Sequence, residues 1–168
     1  WEFAEVEDLI HRGQVDCGFL GLPVGAGLDT FPLCRDQLMA VLPSDHPLAG
    51  APWYPMERFA EDPFIWIPEE RDLELGLIFQ EEGIRPNLQY TVNDDIAVLA
   101  MVEQGLGVSI RPELVLRNTG RRFAAIPLER PRYRDIVLAV RSGRPPSPLT
   151  ARFLECARDW VERFQGKM

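Results

Sequence analysis

Helical and extended hydrophobic periods alternate along this 168-residue chain, which predicts an α/β protein. Val6, Leu9 and Ile10 recur at helical spacing, and Gly13 ends that helix before an apolar strand at 15–20. The first helix has no strand before it to pack against. We therefore expect the opening strand and helix of the fold to be missing from this chain.

The most informative segment lies at 93–113, where a helix and a strand follow each other directly. Asn93 is a good N-cap and Gly105 a left-handed stop, which predicts a helix at 94–104. Seven consecutive apolar residues fill its middle, so the helix is expected to be buried on every side. The strand at 108–110 that follows predicts a crossover unit of a largely parallel α/β sheet. Such sheets bind small ligands at helix N-termini beside strand ends.

The remaining apolar runs predict further elements, most of them delimited by proline or glycine. Predicted strands lie at 31–33, 37–42, 64–67, 88–92, 123–128 and 136–140. Predicted helices lie at 56–60, from Leu73 to before Gly83, after Pro112 and after Pro148. The last of these is amphipathic, and its apolar face consists of Leu149, Phe153, Leu154, Ala157, Trp160, Val161 and Phe164.

Three prolines and a glycine interrupt the apolar pattern at 43–52, which predicts a linker between two lobes. The first lobe is predicted to comprise 1–43 and 136–168, and the second 44–135. The chain then crosses between the lobes twice and leaves a cleft between them. This is the architecture of a protein that closes on a small ligand.

Composition and charge exclude several classes of protein. Apolar residues make up 46% of the chain and its net charge is -8, which suits a globular domain and argues against binding a nucleic-acid backbone. No apolar run is long enough for a membrane, and no signal peptide opens the chain at Trp1. Cys17, Cys34 and Cys156 lack metal-ligand spacing, and their odd number predicts reduced thiols in a cytoplasmic protein.

The charge is unevenly distributed along the chain. Up to Ile110 there are 5 basic and 20 acidic residues, whereas 13 basic and 6 acidic residues follow. Seven of the basic residues are arginines between Arg111 and Arg134. These arginines form either a solvated face or a surface that meets an acidic face of a neighbouring chain or domain.

No constellation for catalysis is visible in the sequence. His11 and His46 have no nucleophile or metal partner at a suitable spacing, and phosphate-loop, serine-hydrolase and zinc-helix motifs are absent. Cys17 lies in a predicted buried strand and Cys156 on a long helix, without cationic neighbours positioned to lower a thiol pKa, which argues against a redox sensor. The sequence therefore predicts neither an enzyme nor a cofactor or metal site.

Four phrases of the sequence point to one family. They are GQVDCGF at 13–19, VLPSDHPLA at 41–49, DPFI at 62–65 and VEQGLGVSIRPE at 102–113. Together they resemble the effector-binding domain of LysR-type bacterial transcriptional regulators. The resemblance implies two Rossmann-like lobes, similar to type 2 periplasmic binding proteins and joined by two crossover strands, with a small effector in the cleft. It also implies a dimeric or tetrameric parent protein that binds DNA only through a winged helix-turn-helix absent from this chain, and no membrane.

The resemblance also implies an effector site. In the first lobe it points to Phe19 and Gly21, and Gly21 stands where some aromatic-acid sensors carry an arginine, which argues against an aromatic carboxylate. In the second lobe it points to the loop after the third strand, the start of the central helix and the residue before the returning strand. These residues are Trp66, Pro68, Glu69, Arg71, Asn93, Asp94 and Tyr133. Arg111 replaces an apolar residue of the family and is expected to face out of the core.

Several of these residues have a structural alternative. Arg71 forms a surface pair with neighbouring carboxylates or clamps a ligand carboxylate. Trp66 stacks on a ligand or fills the core, and Asn93 caps its helix, contacts the effector, or does both. The carboxylates of Asp94 and Asp95 favour an effector with a cationic or hydroxyl-rich part. A ligand-sensing regulatory domain is the first hypothesis, and a solute-binding protein of a transport system with the same fold is the alternative.

Overall fold

The computed structural model describes residues 3–68, 73–117, 119–120 and 122–165. It divides into two compact units. Unit 1 comprises Trp1–Asp36 and Arg134–Met168, and unit 2 comprises Gln37–Tyr133. The lobe boundaries predicted after 43 and before 136 stay predictions, and both positions lie within strands that belong to the two units.

Helices and strands alternate along the chain, so the predicted α/β class is confirmed. Their order is α1 (Phe3–His11), β1 (Cys17–Gly21), β2 (Leu28–Pro43), a 3₁₀ helix (Met56–Ala60), β3 (Phe64–Trp66), α2 (Leu73–Glu81), β4 (Leu88–Thr91), α3 (Asp95–Glu103), β5 (Ser109–Pro112), α4 (Glu113–Leu116), β6 (Phe123–Arg141) and α5 (Pro148–Gln165). Two strands, β2 and β6, pass from one unit into the other. Within the described residues, none of the helices is both long and apolar enough for a membrane span.

Both of these connecting strands were wrongly predicted as pairs of short strands. The segments 31–33 and 37–42 belong to the continuous β2, and 123–128 and 136–140 to the continuous β6. Exposed side chains in the middle of β6, from 129 to 131, interrupt its apolar pattern, and prolines in both strands resemble strand ends. A strand that is partly solvated on both faces therefore lacks the continuous or alternating apolar pattern by which a strand is recognised in a sequence.

Unit 1 is built on an antiparallel pair of strands. β1 pairs with the end of β6, with Phe19 opposite Leu138. α1 packs closely on β1, because a Cβ atom at Gly18 would lie 2.4 Å from a methyl carbon of Val6. The core of this unit consists of Ile10, Leu20, Val137 and Ala139. α5 begins after Ser147, whose hydroxyl accepts a hydrogen bond from the Thr150 N–H at 3.1 Å.

Unit 2 contains parallel and antiparallel strands, so the expectation of a largely parallel sheet was too simple. β3 and β4 pair in parallel, with Trp66 opposite Thr91, and Phe64 forms a parallel bridge to Val108. β5 then pairs antiparallel with β2. Successive side chains of a strand point to opposite faces, and two apolar clusters accordingly form. One includes side chains of α2, and the other includes side chains of α3.

The central helix α3 lies against only one of these clusters. Val98, Leu99 and Val102 are buried, but the side chain of Ile96 is 69% exposed. The prediction that this helix is buried on every side was therefore wrong, since an unbroken apolar run does not show which face is covered. Gly105 ends the helix with φ of 75°, as predicted.

Gly107 lies where the turn after α3 meets the strand below it. A Cβ atom here would lie 2.4 Å from the carbonyl oxygen of Pro63, which accepts the N–H of Val108 at 2.8 Å. Gly107→Ala is expected to lower the free energy of unfolding by about 2 kcal/mol, because backbone must move to admit the methyl group. Gly50→Ala is the control, since that position has no atom within 4 Å. Equal denaturant midpoints for the two variants would contradict this close packing.

The predicted linker at 43–52 belongs to unit 2, where a polar cluster holds it in place. Nδ1 of His46 accepts the N–H of Leu48 at 3.1 Å, so Nε2 carries the proton and faces Asp62 at 3.3 Å. The Tyr54 hydroxyl and the Arg58 guanidinium donate to the same carboxylate. Burial, and after it the hydrogen bond to Asp62, raise the pKa of Tyr54 well above its ordinary value. His46 thus has structural contacts, in agreement with its predicted place in a turn.

Three arginines in the middle of β6 bind carboxylates of their own units. Arg130 and Arg132 both reach Glu82, whose side chain is only 5% exposed. Arg134 donates from Nε and Nη2 to the fully buried carboxylate of Asp36, at 2.9 and 2.8 Å. Neither alternative from the sequence, a solvated face or a surface for a neighbouring chain, anticipated these internal pairs.

Candidate functional site

The structure brings four predicted site residues of unit 2 to one edge of the sheet. Trp66 ends β3 and Pro68 follows it, while Asn93 and Asp94 follow β4. The two strands are parallel, and the Val92 N–H donates to the Trp66 carbonyl at 3.0 Å just beyond their last paired residues. Carboxyl ends of parallel strands are where open α/β sheets bind ligands. Glu69 and Arg71 lie outside the described residues.

Asp94, and not Asn93, caps α3. The side chain of Asp94 accepts the Ala97 N–H at 2.8 Å from an extended backbone with φ of -152°. The predicted capping role of Asn93 was therefore wrong by one residue, because both types are good caps and the sequence places them side by side. Asn93 lies two residues beyond β4 and is exposed, and its amide is not the helix cap because Asp94 makes that hydrogen bond.

The indole ring of Trp66 packs inside unit 2. It meets Phe64 edge to face at 5.8 Å and Phe79 of α2 in a tilted arrangement at 6.0 Å. The residue remains only partly buried. These contacts support the alternative in which Trp66 fills the core. Its role as a ligand contact stays a prediction.

Arg111 is buried, although the sequence had predicted that it faces out of the core. Its side chain is 5% exposed, and Nη1 donates to the carboxylate of Asp95 at 3.0 Å while Nε donates to the Ile110 carbonyl. Asp95 is the first residue of α3, so this pair lies beside the residues that follow β3 and β4. A lone arginine in the buried strand Ser109–Pro112 was the signal that sequence reasoning missed.

In unit 1, the two predicted site residues face different surroundings. Phe19 is 51% exposed, and its ring meets Phe153 of α5 edge to face at 6.3 Å. Gly21 is buried, and a Cβ atom there would lie 2.8 Å from the ring of Phe3. A side chain at Gly21 would displace Phe3, which gives a physical reason for glycine at this position. Their contact with an effector stays a prediction.

Tyr133 is the last residue of unit 2 on β6 and is 42% exposed. Its neighbour Arg134 forms the buried pair with Asp36. The structure thus places Tyr133 on the connecting strand, next to a fixed ion pair. Its role in a site stays a prediction.

The surroundings of Cys17 disfavour a reactive thiol. Burial, and after it the neighbouring charge of Asp16, raise the pKa of the Cys17 thiol. A raised pKa disfavours the reactive thiolate. Within the described residues, no group of three or more metal-ligating side chains is brought together.

A family model described as the LysR substrate binding domain matches residues 2–162 of the chain. The chain therefore belongs to this family, as the phrases in its sequence indicated. One relative is a probable HTH-type transcriptional regulator, LrrA, from Synechococcus elongatus, which is 30% identical over 156 residues. That match covers 91% of this chain and 52% of the relative, so the chain spans about half the length of the curated relatives it matches.

Solved structures show the same fold. The regulatory domain of CcmR from Synechocystis, in complex with 2-PG, has a TM-score of 0.87 at 18% identity, with 95% of this chain and 80% of that chain covered. The effector binding domain of QuiR, in complex with shikimate, has a TM-score of 0.81 at 20% identity, with 97% and 79% covered. The fold predicted from the resemblance, with two Rossmann-like lobes joined by two crossover strands, is thereby confirmed.

Proposed function

We propose that this chain is the ligand-sensing part of a bacterial LysR-type transcriptional regulator and binds a small metabolite at the sheet edge of unit 2 beside α3. The family match over nearly the whole chain carries this proposal. Domains of the same fold occur in complex with 2-PG and with shikimate. The location between the two lobes that the resemblance implies stays a prediction.

The geometry of unit 2 supports this edge as the binding surface. The start of α3 offers main-chain N–H groups and the positive end of a helix dipole. Asp94 takes the Ala97 N–H, and Asn93 adds an exposed amide with donors and an acceptor. These groups suit a ligand with several oxygen atoms.

A thermal-shift screen of small metabolites tests the proposal. A compound that binds the folded chain raises its unfolding midpoint. Above saturation, the stabilisation grows with the logarithm of the ratio of ligand concentration to Kd. Asn93→Ala is expected to lower the affinity for such a compound about tenfold, which corresponds to the loss of one hydrogen bond of about 1.4 kcal/mol. Gln104→Ala, at the other end of α3, is the control. Equal affinity for Asn93→Ala and the parent chain would place the site elsewhere.

The parent regulator is proposed to be a cytoplasmic dimer or tetramer that reaches DNA through a helix-turn-helix domain outside this chain. The names of the curated relatives, HTH-type transcriptional regulators, support this. They argue against the alternative of a transport solute-binding protein, and they support a sensor in preference to an enzyme. Effector binding would shift the conformational equilibrium by no more than its difference in affinity for the two conformations.

A further inference from the structure

The Arg111–Asp95 pair is an unusual feature for a protein interior. A buried guanidinium loses its hydration, and one carboxylate at a single 3.0 Å contact compensates for only part of that loss. The neighbours of Arg111 along β5 are buried as well. An apolar residue of similar size would avoid this penalty. The buried charge therefore lowers stability, and a role in ligand binding would explain why an arginine stands here.

Arg111 lies on the strand that enters unit 2 beside β3. Phe64 and Val108 form a parallel bridge, and the hydroxyl of Ser109 donates to the Ile65 carbonyl at 2.9 Å, two residues before Arg111. The contact with Asp95 fixes the guanidinium beside the first turn of α3.

One nitrogen of the guanidinium, Nη2, has no hydrogen-bond partner among the residues that the structure describes. Nε donates to the Ile110 carbonyl and Nη1 to Asp95. The pair opens towards solvent at its acidic member, because the side chain of Asp95 is 35% exposed while that of Arg111 is 5% exposed. A ligand that arrives at the start of α3 therefore meets Asp95 first and Arg111 behind it.

We propose that Arg111 determines specificity by binding an anionic oxygen of the effector, either a carboxylate or a phosphate oxygen. This inference rests on the function proposed above and names the chemical class of that effector. The guanidinium presents flat, paired N–H donors that match such oxygen atoms. Asp95 pairs with Nη1 of Arg111 in the free protein, and its negative charge opposes the approach of an anionic ligand to Nη2.

The pairing changes what the sequence implied about charge. Asp94 and Asp95 had favoured an effector with a cationic or hydroxyl-rich part. Arg111 neutralises Asp95 at short range, and Asp94 is engaged as the helix cap. The edge is therefore suited to an acid that also carries hydroxyl groups, with the anionic oxygen at Arg111 and the hydroxyl groups near Asp94 and Asn93.

Opposite effects of the two partners test this assignment. Calorimetric titration measures the affinities for shikimate, 2-PG and inorganic phosphate. Comparing these affinities shows whether a carboxylate or a phosphate is the group that binds. Arg111→Gln is expected to lower the affinity for the ligand at least about tenfold. Arg111→Lys should lower it by less, because lysine retains the positive charge but lacks the planar guanidinium. Asp95→Asn is expected to raise the affinity about threefold or more, since it removes the opposing negative charge.

A purely structural pair predicts a different pattern, in which both Arg111→Gln and Asp95→Asn weaken binding or leave it unchanged. Arg117→Gln, which breaks an ordinary pair with Glu113 in α4, is the control and should not alter affinity. Circular dichroism confirms folding of each variant. If Arg111→Gln does not fold, Asp95→Asn still decides, because weaker binding by that variant overturns the assignment.

Failure of this inference is distinct from failure of the proposed function. If the metabolite screen finds a ligand with no anionic group, or one that Arg111→Gln binds as tightly as the parent chain, only the role of Arg111 is overturned. If no compound binds the parent chain at millimolar concentration, both are overturned.

Discussion

Replacing Phe64 by alanine is expected to lower the free energy of unfolding of unit 2 by about 4 kcal/mol, which is typical of a fully buried phenylalanine. Its side chain is 0% exposed, and its ring meets Phe59, Trp66 and Phe79 edge to face at 5.5, 5.8 and 5.4 Å. The lost area and the remaining cavity both contribute. Because Phe64 and Phe79 hold the ring of Trp66, the same variant should also loosen the end of β3. Chemical denaturation measures the first effect.

Trp53→Ala is the matched control for that variant. Trp53 belongs to the same unit and is larger, but it is 51% exposed. Its loss is expected to cost no more than about 1 kcal/mol, since exposed side chains contribute little. If the two variants were equally destabilised, the aromatic cluster would not be the core of unit 2.

Asp36→Ala is expected to cost about 3 kcal/mol, because it leaves the guanidinium of Arg134 without its buried partner. The carboxylate of Asp36 is fully buried, and two donors of Arg134 reach the same oxygen. Arg134 itself is 21% exposed, so water compensates for part of the loss. The two residues lie where β2 and β6 leave unit 1, and their pair fixes these strands to each other.

The neighbouring pair provides a control with the same residue types. Arg35 and Asp135 are 3.6 Å apart, and their side chains are 68% and 55% exposed. Asp135→Ala is therefore expected to change stability by less than about 1 kcal/mol. Urea unfolding of the two alanine variants would contradict this account if their midpoints shifted equally.

Local signals predicted much of the fold. The stripe in α1 and the glycine stops at Gly13, Gly83 and Gly105 depend on residues close in sequence, and all three glycines have the positive φ that such stops require. The prolines and solvated residues within β2 and β6 gave no such signal. The continuity of these two strands depends on pairing with strands far away in the sequence, and a local pattern contains no information on that pairing.

The elements that form the candidate site were predictable from the sequence, and the contacts of their residues were less so. The stretch after β4 and the start of α3 were identified from their helix cap, although the capping residue is Asp94 and not Asn93. Arg111 was expected to face outward because it replaces an apolar residue of the family, and a charged side chain is rarely buried. Its partner Asp95 lies sixteen residues earlier in the chain, so only the folded structure shows that the charge is neutralised inside.

The most direct test of the central claim is protein-observed NMR, in which the isotopically labelled chain is titrated with compounds that raise its unfolding midpoint. We predict saturable shifts in the amide signals of Ile67, Asn93 and Asp95, together with the side-chain signal of Arg111. Saturable shifts confined to other parts of the chain, with these four unmoved, would contradict a ligand site at the sheet edge of unit 2.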